Sequence, residues 1–260
     1  MPSVLGGRTH SFHADASAFG GVLELPFDHV IPSQAPLTLS ADGGYSTARS
    51  QNFQLEGLFS FKNAYTQVSG IVSKKRPGWT TLATSVIEDI NICEVMTADR
   101  IVAQIILDHP SETGKYSPMV NFVGTRFDNL RVGSCELNVE LDLNLCAPEK
   151  ADSHGFPEKR TMDDPRFLQC LEKRGHYNSA IKDKSQIECS LVENITFKGK
   201  LPGTQDRNIL TIPGFGKITL AELIVDHNSY RLNMFRLELG CPTRGSASGG
   251  GVGGNGTSAP

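Results

Sequence analysis

One ten-residue stretch occurs twice in this chain. Residues 220–229 read LAELIVDHNS and residues 102–111 read VAQIILDHPS, with five of the ten positions identical. A second pair lies ahead of the first in the same order, SVIEDINI at 85–92 and SLVENITF at 190–197. Matched segments in matched order point to an internal duplication, with one core built from two related units. Their Val, Ile and Leu content suits strands. IVAQIIL at 101–107 is apolar enough for a strand covered on both faces.

The rest of the chain reads the same way. In ELNVELDLNL, 136–145, Leu137, Val139, Leu141, Leu143 and Leu145 alternate with polar residues. That is the period of a long strand with one dry and one wet face. FQLEGLFSF at 53–61 also alternates, with Gly57 read as a bulge. Residues 217–225 and 231–239 form a predicted hairpin across Asp226, His227, Asn228 and Ser229, and its alternation slips between Met234 and Phe235. One helix is expected, with Asp163 and Asp164 as caps, Pro165 in the first turn and Gly175 as the stop.

These signals predict an all-β fold, an antiparallel sandwich or barrel built from two duplicated units, with one short helix in an insertion. The expected layout has five parts: an N-terminal β segment at 1–78, a first repeat unit at 79–148, a charged insertion at 149–188, a second repeat unit at 189–241 and a tail at 242–260. Sixteen residues of the insertion are charged, in equal numbers of each sign. The tail is mostly Gly and Ser, and such composition predicts a disordered terminus.

Charge and motif content narrow the function classes. A net charge of −3 supplies no general field for nucleic acid. The basic run Lys74, Lys75, Arg76 precedes Pro77 and Gly78 and reads as a turn. No apolar stretch reaches the ~20 residues that cross a bilayer. No signal peptide is visible, which slightly favours a cytoplasmic setting. The six cysteines, Cys93, Cys135, Cys146, Cys170, Cys189 and Cys241, include no C-x-x-C pair and read as buried free thiols. Nucleophile elbows and phosphate-binding glycine loops are absent, and no cofactor is expected.

The sharpest candidate site is the repeated pair Asp108-His109 and Asp226-His227. Two Asp and two His meeting near a pseudo-twofold axis could act as acid and base, or His109 and His227 could ligate a metal. Turn capping by Asp, with His packed beside it, accounts for both copies equally well. Glu88 and Glu193 form a second repeated pair, readable as carboxylates on the wet side of a strand. Glu136, Glu140 and Asp142 could face a calcium ion, though a strand face is more often solvated. Among His10, His13 and Asp15, alternation puts His13 and Asp15 on one face and His10 on the other.

CSLVENI at 189–195 and PGFGKITLAELIVDHNSYRLNMFRLELG at 213–240 resemble a loosely defined group of uncharacterised bacterial proteins. SVIEDINICEVMTADRIVAQI at 85–105 is similar to repeats in bacterial surface-anchored β proteins. The resemblance implies a bacterial β protein and carries no activity. The chain therefore reads as a non-enzymatic binding or structural module, with homo-oligomer formation left open. The alternatives are a hydrolase or lyase acting on a carbohydrate or small molecule near the Asp-His turns, and a barrel enclosing an apolar ligand.

Overall fold

The computed structural model describes residues 3–5, 8–74, 76–111, 117–176, 186–227, 229–240 and 242–259. Lys75, Asn228 and Cys241, which figure in the sequence reading, lie outside that set. In chain order the strands begin with β1 (Ser3–Leu5), β2 (Arg8–Leu25), β3 (His29–Gln34), β4 (Leu37–Thr38), β5 (Gly44–Leu55), β6 (Phe59–Val72), β7 (Gly78–Ile92) and β8 (Met96–Pro110). Short strands follow: β9 (Met119–Asn121), β10 (Arg126–Asp128), β11 (Arg131–Val132) and β12 (Cys135–Leu141). After a 3-10 turn and helix α1 (Pro165–Lys173) come β13 (Gln186–Ser190), β14 (Val192–Lys198), β15 (Thr204–Asp206) and β16 (Ile209–Ile212). The chain ends with β17 (Gly216–Asp226), β18 (Tyr230–Leu239) and β19 (Arg244–Ala259).

Two antiparallel sheets pack face to face as a sandwich, and neither closes into a barrel. The first runs β1-β2-β19-β18-β17-β16-β15, with β3 and β4 also on β2 and β13 on β17. The second runs β14-β12-β11-β8-β7-β6-β5, with β9 and β10 also on β8. The open sandwich replaces the expected barrel option, because both sheets end in edge strands. Phe19, Phe59, Phe61 and Phe235 meet between the layers, with the Phe19 ring 5.4 Å from Phe59 and 6.3 Å from Phe235.

The tail corrects the sequence reading. The expected disordered segment is β19, a central strand paired with β2 on one side and β18 on the other. Its composition reflects space rather than flexibility. A Cβ at Gly254 would lie 2.8 Å from Leu107 Cδ1 of the facing sheet, so a side chain there would wedge the layers apart. At Gly250 the backbone has φ +64° and a Cβ would lie 2.8 Å from Met234 Cβ. Only glycine meets both conditions without strain.

Gly250 belongs to a line of irregularities across the first sheet. The pairing skips Ala221, Met234, Gly250 and Ala18 on four neighbouring strands. On β18 the buried side chains change from Tyr230, Leu232 and Met234 to Phe235, Leu237 and Leu239. The slip read at Met234 and Phe235 is thus a change of face shared by the whole sheet, as bulges produce.

Three local expectations need adjustment. Residues 53–61 are not one strand: Glu56 and Gly57, with φ of +46° and +71°, turn β5 back into β6. The strand read at 136–145 stops at Leu141, and Asp142 begins a turn. The two matched segments also land differently. Residues 85–92 stay within β7, whereas 190–197 leave β13 at Leu191 and cross to the other sheet as β14.

The helix follows its predicted signals. Asp164 caps it, its side chain accepting from the Arg166 and Phe167 amides at 2.9 and 3.3 Å, and Pro165 opens the first turn. The same carboxylate accepts from the Glu149 amide at 2.9 Å and is 4% exposed. Asp164→Ala is therefore expected to lower stability by about 2 kcal/mol in urea unfolding, at the top of the range for caps, because the Glu149 amide also loses its acceptor. An unchanged midpoint would show the cap to be dispensable.

Candidate functional site

The two Asp-His pairs occupy unlike surroundings. Asp108 and His109 lie inside β8 rather than at a turn, and Thr80 donates to Asp108 Oδ1 at 2.6 Å across the β7–β8 ladder. His109 faces the interior and is 4% exposed. Its ring lies 4.7 Å from His10, which stacks on Trp79 at 4.8 Å and meets the edge of Phe12 at 4.6 Å. Burial holds His109 near a pKa of about 3, aided by repulsion from His10, and burial brings His10 down to about 4. Both rings are thus neutral at pH 7. Nε2 of His109 and Nε1 of Trp79 are buried without a hydrogen-bond partner among the described residues.

Asp226 and His227 sit on the exposed β17–β18 turn. His227 Nδ1 lies 2.9 Å from Asp226 Oδ1, and its backbone amide donates to the same oxygen at 2.6 Å. These hydrogen bonds pull the Asp226 carboxyl below its ordinary value. The arrangement is that of Asp capping a turn. Among the described residues, no hydrogen bond, ion pair or ring contact joins one Asp-His pair to the other. His109 is brought to His10 instead.

Of the other acidic candidates, Glu88, Glu136, Glu140 and Asp142 have cationic or amide partners, whereas Glu193 is exposed on β14. Glu88 Oε2 accepts from Asn63 at 3.2 Å, and its Oε1 lies 3.7 Å from Arg100. Glu136 lies 3.3 Å from Arg131 and 3.5 Å from Lys198. Glu140 accepts from Asn194, and Asp142 pairs with Arg174 at 2.6 Å. His13 and Asp15 share a solvent-facing side of β2 at 3.9 Å, and His10 lies on the other face, as alternation predicts. Among the described residues, no group of three or more His, Cys, Asp or Glu side chains could hold a metal ion.

A pocket of about 290 Å³ opens where the C-terminal end of α1 meets β14 and the β15–β16 turn. Lys173, Arg174 and His176 approach from the helix side, Glu193 and Asn194 from β14, and Arg207 and Asn208 from the turn. The helix ends at Gly175, φ +70°, whose carbonyl accepts from Arg207 Nη1, so helix and turn are tied together. Arg174 Nη2 is held by Asp142, while its Nη1 is buried without a partner among the described residues. Three cations thus line the pocket with one carboxylate. His176 registers that field, since burial, then Arg207, then Arg174 lower its pKa, with Asp206 opposing. Of these lining residues the sequence reading had singled out Glu193 alone. The charge density of 149–188 was the available signal, but which charges would meet β14 was not.

A family model described as a domain of unknown function, DUF8256, matches residues 10–180 and 172–226. The chain belongs to that family. The match begins within β2 and ends at the last residue of β17, so β18 and the glycine-rich β19 lie beyond it. Comparison with curated proteins and with solved structures gives no match. The matched span includes all the residues named above as lining the DUF8256 pocket. Among the described residues, no helix is long and apolar enough to cross a membrane.

Proposed function

We propose that this DUF8256 chain is a non-enzymatic binding module whose ligand sits in the pocket between the end of α1, β14 and the β15–β16 turn. One observation carries the reading. The pocket gathers convergent polar side chains from three separate elements, and it includes a guanidinium nitrogen, Arg174 Nη1, buried without a partner among the described residues. A buried donor left unmade is costly, so a ligand that supplies an acceptor gains more there than at an exposed donor. Volume near 300 Å³ lies at the small end of ligand sites. The hydrolase or lyase alternative would need Asp108, His109, Asp226 and His227 in one cleft, and His109 is buried beside His10.

The same reading takes the two matched segments as copies of one unit. It is supported by their pairing: Asp108 lies opposite Thr80 and Asp226 opposite Gln186, each strand meeting the residues just before its own upstream segment.

Nitrogen–proton correlation spectra, recorded while a library of neutral, cationic and anionic fragments is added, test the binding reading. Shifts concentrated at the amides of Asn194, Arg207 and Asn208 are expected, with the fragments recovered unchanged. A library that moves none of these amides overturns it.

A further inference from the structure

We infer that the pocket takes a small oxyanion-bearing ligand, a phosphate ester or a compact polycarboxylate, gripped between Arg174 and Arg207. The inference rests on the binding reading above and adds the chemistry of the ligand. Its first support is charge. The chain as a whole carries −3, yet among the described residues the lining sets Lys173, Arg174 and Arg207 against Glu193 alone. Asp142 neutralises part of Arg174, and exposed Asp206 lies 3.4 Å from Arg207, so the surplus is modest and local.

Donor geometry is the second support. Arginine presents planar forks that match the spacing of carboxylate and phosphate oxygens. Arg174 has one nitrogen fixed by Asp142, which orients the fork and leaves Nη1 without an acceptor among the described residues. Arg207 is anchored through Nη1 on Gly175. Both guanidinium groups are therefore positioned before a ligand arrives, which lowers the ordering cost of binding. Lys173 is exposed at the end of α1 and adds a mobile charge at the rim.

Size is the third. About 290 Å³ holds roughly ten water volumes, room for one compact anion. Asn194, Gln205 and Asn208 supply amide groups around the cations and suit a ligand with hydroxyl or carbonyl oxygens. Glu193 is the one opposing charge. It weakens anion binding without reversing the surplus of positive charge, and it would reward a ligand that also carries a donor.

Calorimetric titration of the full chain with inorganic phosphate, pyrophosphate and citrate, against a neutral polyol of similar size, tests this. The anions are expected to bind and the polyol not, with affinity falling as salt rises. Arg207→Gln should weaken anion binding about tenfold, because one charge-assisted donor is lost. Glu193→Gln, exposed and outside the core, should tighten it about threefold. Phosphate or pyrophosphate binding above citrate assigns the phosphate ester, and the reverse order the polycarboxylate. Anion binding unchanged in both variants places the anion elsewhere and overturns the inference. Neutral fragments occupying the pocket while no anion binds overturn it too, yet leave the binding reading standing. No occupant of any kind removes both.

Discussion

A chain truncated after Thr243 is expected not to fold. The deleted segment, 244–259, fills the slot between β2 and β18 from Arg244 opposite Leu25 to Ala259 opposite Thr9. Without it the first sheet splits into β1 to β4 on one side and β13 with β15 to β18 on the other. Each buried backbone group left without its ladder partner costs about 1–3 kcal/mol. Whole domains are stable by about 5–15 kcal/mol, so a handful of orphaned groups exhausts the margin. Closing the slot by pairing β2 directly with β18 would shift both strands against the facing sheet, where Leu107 fits against Gly254. Circular dichroism and a urea transition decide the matter, and a truncated chain with the full-length midpoint would return the tail to the status of a linker. In the full chain, Gly250→Val should cost at least about 3 kcal/mol, since it adds left-handed strain to a clash with Met234 Cβ.

Acid weakens the fold through His10 and His109. Their pKa values in the folded protein, about 4 and about 3, lie below the ordinary 6.5. Between those limits the unfolded chain binds protons that the folded chain refuses. Stability is therefore whole above pH 6.5 and declines as pH falls toward 4. Each histidine contributes a slope that approaches about 1.4 kcal/mol per pH unit well below pH 6.5, so the pair removes about 2.4 kcal/mol between pH 6 and pH 5. The protein has a single tryptophan, Trp79, buried against His10, so its fluorescence reports the transition directly. His109→Gln should roughly halve the slope whatever it does to absolute stability. A variant with the wild-type slope would mean that other groups govern the acid response.

Local signals were legible wherever short-range chemistry decides them. Asp164, Pro165 and Gly175 marked the helix because capping and the left-handed stop depend on neighbours along the chain. Alternation separated His10 from His13 for the same reason. The slip at Met234 and Phe235 was visible too, but that it continues through Ala221, Gly250 and Ala18 depends on strand order. The tail was misread because glycine content describes both a chain free to move and a strand with no room for a side chain. Leu107, which removes the room at Gly254, lies far away in sequence, and Met234, which removes it at Gly250, is brought close only by the pairing of β18 with β19.

The candidate site divides in the same way. The repeat drew attention to Asp108, His109, Asp226 and His227, since identity between copies is a property of the sequence. Where those residues sit is a property of packing: β8 runs on past His109 and buries it, whereas β17 ends at Asp226 and leaves His227 in solvent. The pocket cations Lys173, Arg174 and Arg207 come from a helix end and a strand turn joined by a long intervening segment. Nothing local marks them as partners. By itself the sequence determined the all-β class, several of the strands and the helix with its Asp164 cap, which rest on residues within a few positions of one another. Only the tertiary structure decided that the tail is a central strand, that His109 meets His10 rather than His227, and that one pocket of positive charge forms in an acidic chain. Those outcomes depend on which surfaces are close enough to exclude a Cβ or to share a field.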